Sequence, residues 1–189
     1  MKALAEWYKK VGLLGVIAIL IVVTSAVYEG QYQKLYDIGI PTEIKNTLGT
    51  YYTVTKVVDG DTLHIDINGK DEKVRLIGIN TPETVDPRTP VQCFGKEASA
   101  RMKELSQGKL VRIEYDESQN TRDVYGRILA YVYLEDGQML NRKMIAEGYA
   151  YEYTYLTPYK YQKEFRELQT LARTSLRGLW STDTCSGSK

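Results

Sequence analysis

Two turn signals, Asp59-Gly60 and Asn68-Gly69, divide Tyr51–Ile79 into three short segments. That punctuation constrains the fold more than any other feature of the chain. Asp-Gly and Asn-Gly pairs accept the backbone geometry of a tight hairpin, so consecutive segments are expected to pair side by side. The first, Tyr51–Val58, is rich in Tyr, Thr and Val, residues that suit a pleated surface. In the second, Thr62–Ile67, Leu63, Ile65 and Ile67 fall on one face and His64 and Asp66 on the other. Glu72–Ile79 reads as the third strand of a meander. Leu110–Tyr115 and Arg127–Leu134 supply two more strands. Gly95–Gln107 is predicted helical, because Ala98, Met102 and Leu105 recur at helical spacing and Gly108 offers a stop. Met139–Glu147 is a short helix before Gly148. Thr157-Pro158 is expected to open a long helix, with Phe165, Leu168, Leu171, Ala172 and Leu176 on one face and Gly178 at its end. Pro82–Pro90 and Ser118–Tyr125 are loops. Five short strands with a helix after the third fit an α+β chain built on a small Greek-key barrel of the OB type, with three helices.

Chemistry concentrates at the strand ends. Asp59-Gly60-Asp61-Thr62 is followed by Arg75 within a strand, then by Asn80-Thr81-Pro82-Glu83-Thr84 at its exit, and later by Asp123-Val124-Tyr125-Gly126-Arg127. Arginine is a planar, permanently charged fork that matches phosphate. Carboxylates bind calcium or magnesium and can activate water. Acids and two arginines delivered by different strand ends therefore point to phosphodiester hydrolysis. Each residue also has a plainer reading. Asp59 fits a turn residue. Asp61 is less easily explained that way, because it heads a strand whose inner face is apolar. Pro82 pushes Thr81 away from helical geometry, which leaves the Thr81 carbonyl available to a cation. A lone loop glutamate such as Glu83 is usually just solvated, and Arg75 or Arg127 could each be a structural ion-pair partner. His64 is the only histidine and lies on the outer face of its strand, which disfavours histidine-based or zinc chemistry.

Several of these segments occur together and in order: VVDGDTLHI (57–65), VRLIGINTPET (74–84), FGKEAS (94–99), VYGRILAYVY (124–133) and GLW (178–180). In them the chain resembles the thermonuclease family, the staphylococcal-nuclease-like domains, from about Tyr52 to Trp180. The resemblance implies that the strands close into a barrel and that the chain is a calcium-dependent endonuclease acting on DNA and RNA and leaving 3′-phosphate ends. It implies that Asp61, Asn80 and Thr81 are the calcium ligands and that Glu83 is the general base. Arg75 and Arg127 become phosphate clamps. Tyr125 matches a tyrosine that contacts a terminal phosphate, and Tyr153 and Tyr155 are candidates for nucleotide contact. Two positions depart from the family pattern: Asn80 stands where an aspartate is frequent, and Val124 where a lysine is frequent. The alternative is an OB-fold module that binds nucleic acid or protein without catalysis. Such degenerate domains typically lack some of the acids and arginines, whereas Asp61, Arg75, Glu83 and Arg127 are all present.

Charge limits how such a chain meets nucleic acid. Its 189 residues carry a formal charge of +1, and without the first 27 the balance is −1. A tight, sequence-independent duplex binder is usually much more basic, so contact is expected to be local to the site. The N-terminus is read as residues 1–28, a membrane anchor or signal segment. Val11–Val27 is apolar apart from Thr24 and Ser25 near its end, and Lys9-Lys10 precede it. The basic side stays in the cytoplasm, which places the domain outside the membrane. Trp7, Tyr8 and Tyr28 bracket the run like interfacial aromatics, which favours a single-pass anchor. Secretion after cleavage near Ala26 is the alternative. Residues 29–50 read as a linker, 51–181 as the nuclease domain and 182–189 as a tail. A monomer is expected. Two cysteines, Cys93 and Cys185, in an exported chain suggest one disulfide that would tie down an otherwise loose tail, with two free thiols as the alternative.

Overall fold

The computed structural model describes residues 50–84 and 91–188. The anchor, almost all of the linker and residues 85–90 of the proline-rich loop lie outside them. Among the described residues no helix is long and apolar enough to cross a membrane. Tyr51–Lys189 is one compact unit.

The elements are β1 (Tyr52–Val57), β2 (Thr62–Ile67), β3 (Lys70–Leu76), β4 (Ile79–Asn80), α1 (Gly95–Ser106), β5 (Leu110–Glu114), β6 (Ile128–Leu134), α2 (Leu140–Ala146), β7 (Tyr151–Glu152), α3 (Gln162–Thr174) and a 3-10 turn, Gly178–Trp180. Five strands close a barrel in the order β1-β2-β3-β6-β5, while β4 and β7 form a separate pair. With three α-helices among the described residues, this fits the α+β architecture of the OB type. Four of the barrel seams are antiparallel and β3–β6 is parallel, with Val74 opposite Ile128 and Arg75 opposite Leu129. The alternation expected for β2 places Leu63 and Ile65 fully inside. They meet Val54, Val74, Leu76, Ala130 and Val132, and Ala98 and Met102 of α1 join the same core. His64 is half-buried and hydrogen-bonds Asp71 through Nδ1 at 2.6 Å.

Three local expectations are corrected, each by a tertiary contact. Asn68-Gly69 is the predicted tight turn, with φ of 56° and 82°. Asp59-Gly60 is not. Val58–Asp61 instead make a wider loop in which the Val58 N–H donates to the Thr62 carbonyl at 2.9 Å. Gly60 is required there for close approach, because a Cβ would lie 2.6 Å from Thr81 Cγ2. The third strand does not run unbroken to Ile79. It stops at Leu76, and Gly78 at φ +77° turns the chain outward into β4. The Tyr159 ring sits where a Cβ of Gly78 would be. Buried Asn141 holds the break, donating to the Ile77 carbonyl at 2.8 Å and accepting the Val132 N–H at 3.0 Å.

The third correction concerns Pro158, which does not start α3. The Ser118 hydroxyl and Gln119 amide take the Pro158 carbonyl, each at 3.1 Å, and Asp116 takes the Lys160 N–H at 2.8 Å. The 116–119 loop thus claims the Pro158 carbonyl, which a helix starting there would have used, and the helix begins at Gln162. Phe165, Leu168 and Ala172 face the core, but Leu171 and Leu176 are exposed. Leu176 adopts φ +51°, the Arg177 N–H reaches back to Ala172, and the helix ends ahead of Gly178. The tail is docked, as a bridge between the two cysteines would have it. Cys93 and Cys185 form a disulfide, and Cys185 is buried. The Gly187 N–H donates to the Leu179 carbonyl at 2.8 Å, and Gly187 lies against the Trp180 ring.

Candidate functional site

The β1–β2 loop, the end of β3 and the exit through β4 converge at Asp61. Its carboxylate is buried and fully engaged. Oδ2 accepts the Thr81 N–H at 2.7 Å and the Thr81 hydroxyl at 3.1 Å. Oδ1 accepts the Thr62 hydroxyl at 3.0 Å and lies 3.3 Å from Arg75 Nε. The other ends of the Arg75 fork donate to the Leu76 carbonyl at 2.8 Å and to Asn80 Oδ1 at 3.2 Å. Asp61, Arg75, Asn80 and Thr81 therefore form one hydrogen-bonded cluster.

Asp59 also belongs here, as more than a turn residue. Its Oδ1 accepts the Asp61 N–H at 3.0 Å. Burial, reinforced by the neighbouring charge of Asp61, pushes its carboxyl up to about 7, and Arg75 offsets only part of this. The signal was available in the sequence: two acids flanking one glycine.

Among the described residues no group of three or more acids, histidines or cysteines could hold a metal. The donor chemistry nevertheless fits a hard cation. Asp61 is buried, Asp59 is joined to it through the Asp61 N–H, the neutral Asn80 amide oxygen meets the same Arg75 fork, and Thr81, whose carbonyl is a further oxygen donor, bonds Asp61 through its N–H and hydroxyl. A carboxylate has about four acceptor sites, and those of Asp61 are taken. Its longest contacts, to Arg75 Nε and the Thr81 hydroxyl, are the ones a cation would displace most cheaply.

Glu83 is two residues past Thr81. Its Oε1 accepts the Thr84 N–H at 2.8 Å. Arg127 is held separately, within its own turn. Its Nε donates to Asp123 Oδ2 at 2.6 Å, and its guanidinium lies 5.4 Å from the Tyr125 ring centre. Asp123 Oδ1 also accepts the N–H groups of Tyr125 and Arg127, at 2.9 and 3.0 Å. The sequence reading names Asp123 in this segment but gives it no role, although its spacing of four residues from Arg127 was a signal. Arg122 ties this turn to the barrel, donating to the Gly126 carbonyl at 2.7 Å and to Glu72 at 2.9 Å. Hydrogen bonds from Arg122 and then Lys70 hold the Glu72 carboxyl at about 2.

Tyr125 and Tyr155 are 81% and 71% exposed, and Tyr153 is exposed as well, so these rings are available to a ligand. The Tyr153 N–H bonds the Gly78 carbonyl at 3.0 Å, which puts this tyrosine beside the strand that carries Asn80. The Tyr153 and Tyr155 rings lie 6.4 Å apart. Tyr149 instead packs on Phe94, and Tyr151 is buried against Trp180.

Comparison with known proteins bears on this arrangement. The family described as Staphylococcal nuclease homologue matches residues 73–182. The thermonuclease of Staphylococcus hyicus is 40% identical over 164 residues, covering 86% of this chain and 95% of that protein. The thermonuclease of Staphylococcus intermedius is 46% identical over 132 residues, 70% of this chain and 77% of that protein. Endonuclease YncB of Bacillus subtilis is 38% identical over 130 residues, 68% of this chain and 61% of that protein.

Proposed function

The chain belongs to the staphylococcal nuclease family, and from that premise we propose that it is a nuclease hydrolysing phosphodiester bonds of DNA and RNA with calcium as cofactor. The observation that carries the reading is the joining of Asp61, Arg75, Asn80 and Thr81 at one set of strand ends, with Glu83 two residues further along the same exit. Calcium held by Asp61, Asn80 Oδ1 and the Thr81 carbonyl would supply positive charge at the phosphate oxygens. Glu83 takes the proton of the attacking water as its oxygen bonds phosphorus. The 5′ oxygen leaves, and the product keeps a 3′-phosphate. Arg75 and Arg127 stabilise the extra negative charge of the five-coordinate phosphorus, and exposed Tyr125, Tyr153 and Tyr155 hold the flanking nucleotide. Cleavage within strands is proposed on the same footing.

Digestion of single- and double-stranded DNA and of RNA, with calcium and with chelator, tests the reading. Glu83→Gln should keep the fold and lose roughly 100- to 10,000-fold in rate, the usual share of a general base. Wild-type turnover in that variant removes Glu83 from the role. Retention of nucleic acid without any product would support the binding-module alternative.

We propose, further, that Val11–Val27 anchors a monomeric nuclease outside the cytoplasmic membrane, with release by cleavage near Ala26 as the competing outcome. N-terminal sequencing of protein recovered from membranes and from medium separates the two.

A further inference from the structure

Glu83 is held as carefully as the cluster beside it. One residue grips its main chain from both sides: the Glu83 N–H donates to Gln92 Oε1 at 2.7 Å, and the Gln92 N–H donates to the Glu83 carbonyl at 2.9 Å. Gly95 lies behind the same segment. A Cβ there would come within 3.1 Å of the Pro82 and Glu83 carbonyls and 2.6 Å of Thr84 Cγ2. Residues 92–95 are thus the wall against which Glu83 rests.

That wall has a covalent anchor. Cys93, next to Gln92, is bonded to Cys185 in the docked tail. The Tyr151 hydroxyl donates to the Ser188 carbonyl at 3.0 Å, and Tyr151 pairs with Asn80 in the β4–β7 ladder. A closed path therefore runs from Asn80 through Tyr151, the tail and the disulfide to Gln92, and from there to Glu83. Thr81 and Glu83, two residues apart, are fixed from opposite ends.

We propose that Gln92 is the positioning residue of Glu83, and that the Cys93–Cys185 bridge maintains this position by tying Gln92 to the docked tail. The inference rests on Glu83 serving as the base. Misplacing a reacting group by about 1 Å can cost roughly 100-fold, so loosening this clamp should reach the chemical step even though neither cysteine touches substrate.

The test uses the full, oxidised chain with saturating calcium, below the melting midpoint of every variant. Gln92→Ala should lower kcat about tenfold or more with KM within about twofold, on the same positioning scale. Gln92→Glu keeps the acceptor oxygen and should recover most of kcat, whereas Gln92→Met, similar in size but without that oxygen, should stay low; equal recovery by Met overturns the hydrogen-bond role. Dithiothreitol supplies two electrons and two protons, splits the bridge into two thiols and closes to its own cyclic disulfide. Reduction, verified by mass after alkylation, should lower kcat by a similar factor, and reoxidation should restore it. The Cys93→Ser/Cys185→Ser double variant should show the low kcat and no response to dithiothreitol. Unchanged kcat in Gln92→Ala, or in verified reduced protein, overturns the proposal. So does a loss confined to KM. Glu83→Gln separates the two levels. If it is inactive while the reduced protein keeps full kcat, only this inference falls. If it retains wild-type kcat, the base assignment falls and takes this inference with it.

Discussion

Arg75 and the Arg127 turn adjoin along the parallel β3–β6 seam, yet the two arginines are built into the molecule differently. Arg75 is joined to three segments, bonding Asp61 from the β1–β2 loop, Leu76 at its own strand end and Asn80 in β4. Arg127 is held within its own turn, by Asp123 four positions back and by the Tyr125 ring. The first is part of the structure that closes the barrel end. The second is carried by a turn that forms largely from its own hydrogen bonds and shows its neighbour Tyr125 to solvent. Chemically equivalent side chains can thus have separable roles. One is tied into the fold of the barrel end, and the other is not.

The strongest way to break this comparison is to remove each arginine in turn. Arg75→Ala and Arg127→Ala should each lose on the order of 100- to 1,000-fold in kcat, the typical cost of deleting one donor to the developing charge. Only Arg75→Ala should also lose stability, by about 1–3 kcal/mol, because it leaves a buried Asp61 oxygen short of a donor. Arg127→Ala should stay within about 1 kcal/mol of the parent, as expected for a partly exposed ion pair. Urea midpoints measured beside rates decide it. Equal destabilisation of the two variants would erase the distinction.

A smaller effect sharpens the Arg75 side. Asn80→Asp adds a charge to the cluster proposed to hold calcium and should lower the calcium concentration giving half-maximal activity. The parent is expected to need roughly 10⁻⁴–10⁻³ M, the range of extracellular sites with few ligand charges. The same carboxylate would share Arg75 with Asp61 and with Asp59, whose own carboxyl is already raised, so maximal rate need not improve. Calcium titrations of both proteins check this, and identical half-points would place residue 80 outside the metal shell.

The smallest expected effect lies on the Arg127 side. Glu72, which receives Arg122, has a depressed folded-state pKa of about 2 against an ordinary 4.5. A depressed carboxylate contributes stability that is present above its unfolded value and lost as pH falls through its folded value. Stability should therefore decline between about pH 4.5 and 2, and Glu72→Gln should flatten that part of the profile. Acid titration of the unfolding midpoint for both proteins is the measurement. An unchanged slope would detach the turn from the barrel.

Much of the barrel is legible in the sequence because its signals are local. Leu63 and Ile65 alternate with polar residues, and Asn68-Gly69 bends as the pair dictates. What is not legible depends on partners distant along the chain. Nothing near Gly78 announces that the Tyr159 ring will occupy its missing Cβ and end β3. Nothing near Pro158 announces that Ser118 and Gln119 will claim its carbonyl. The site divides in the same way. Asp61, Arg75, Asn80 and Thr81 lie within a short stretch, so a reader of the chain meets them together. Gln92 is an ordinary polar residue until Glu83 is found folded back against it.

The disulfide has a consequence for covalent topology. Cys93 and Cys185 are 92 positions apart, so the bridge makes most of the domain a macrocycle that contains α1, α2, α3, β5, β6 and the Arg127 turn. The outermost side chains of that turn, Val124 and Tyr125, are the natural target for a protease. A single cut there would open the ring without releasing a piece. Both fragments would stay linked through sulfur, and the nicked domain would run as one molecule until reduced.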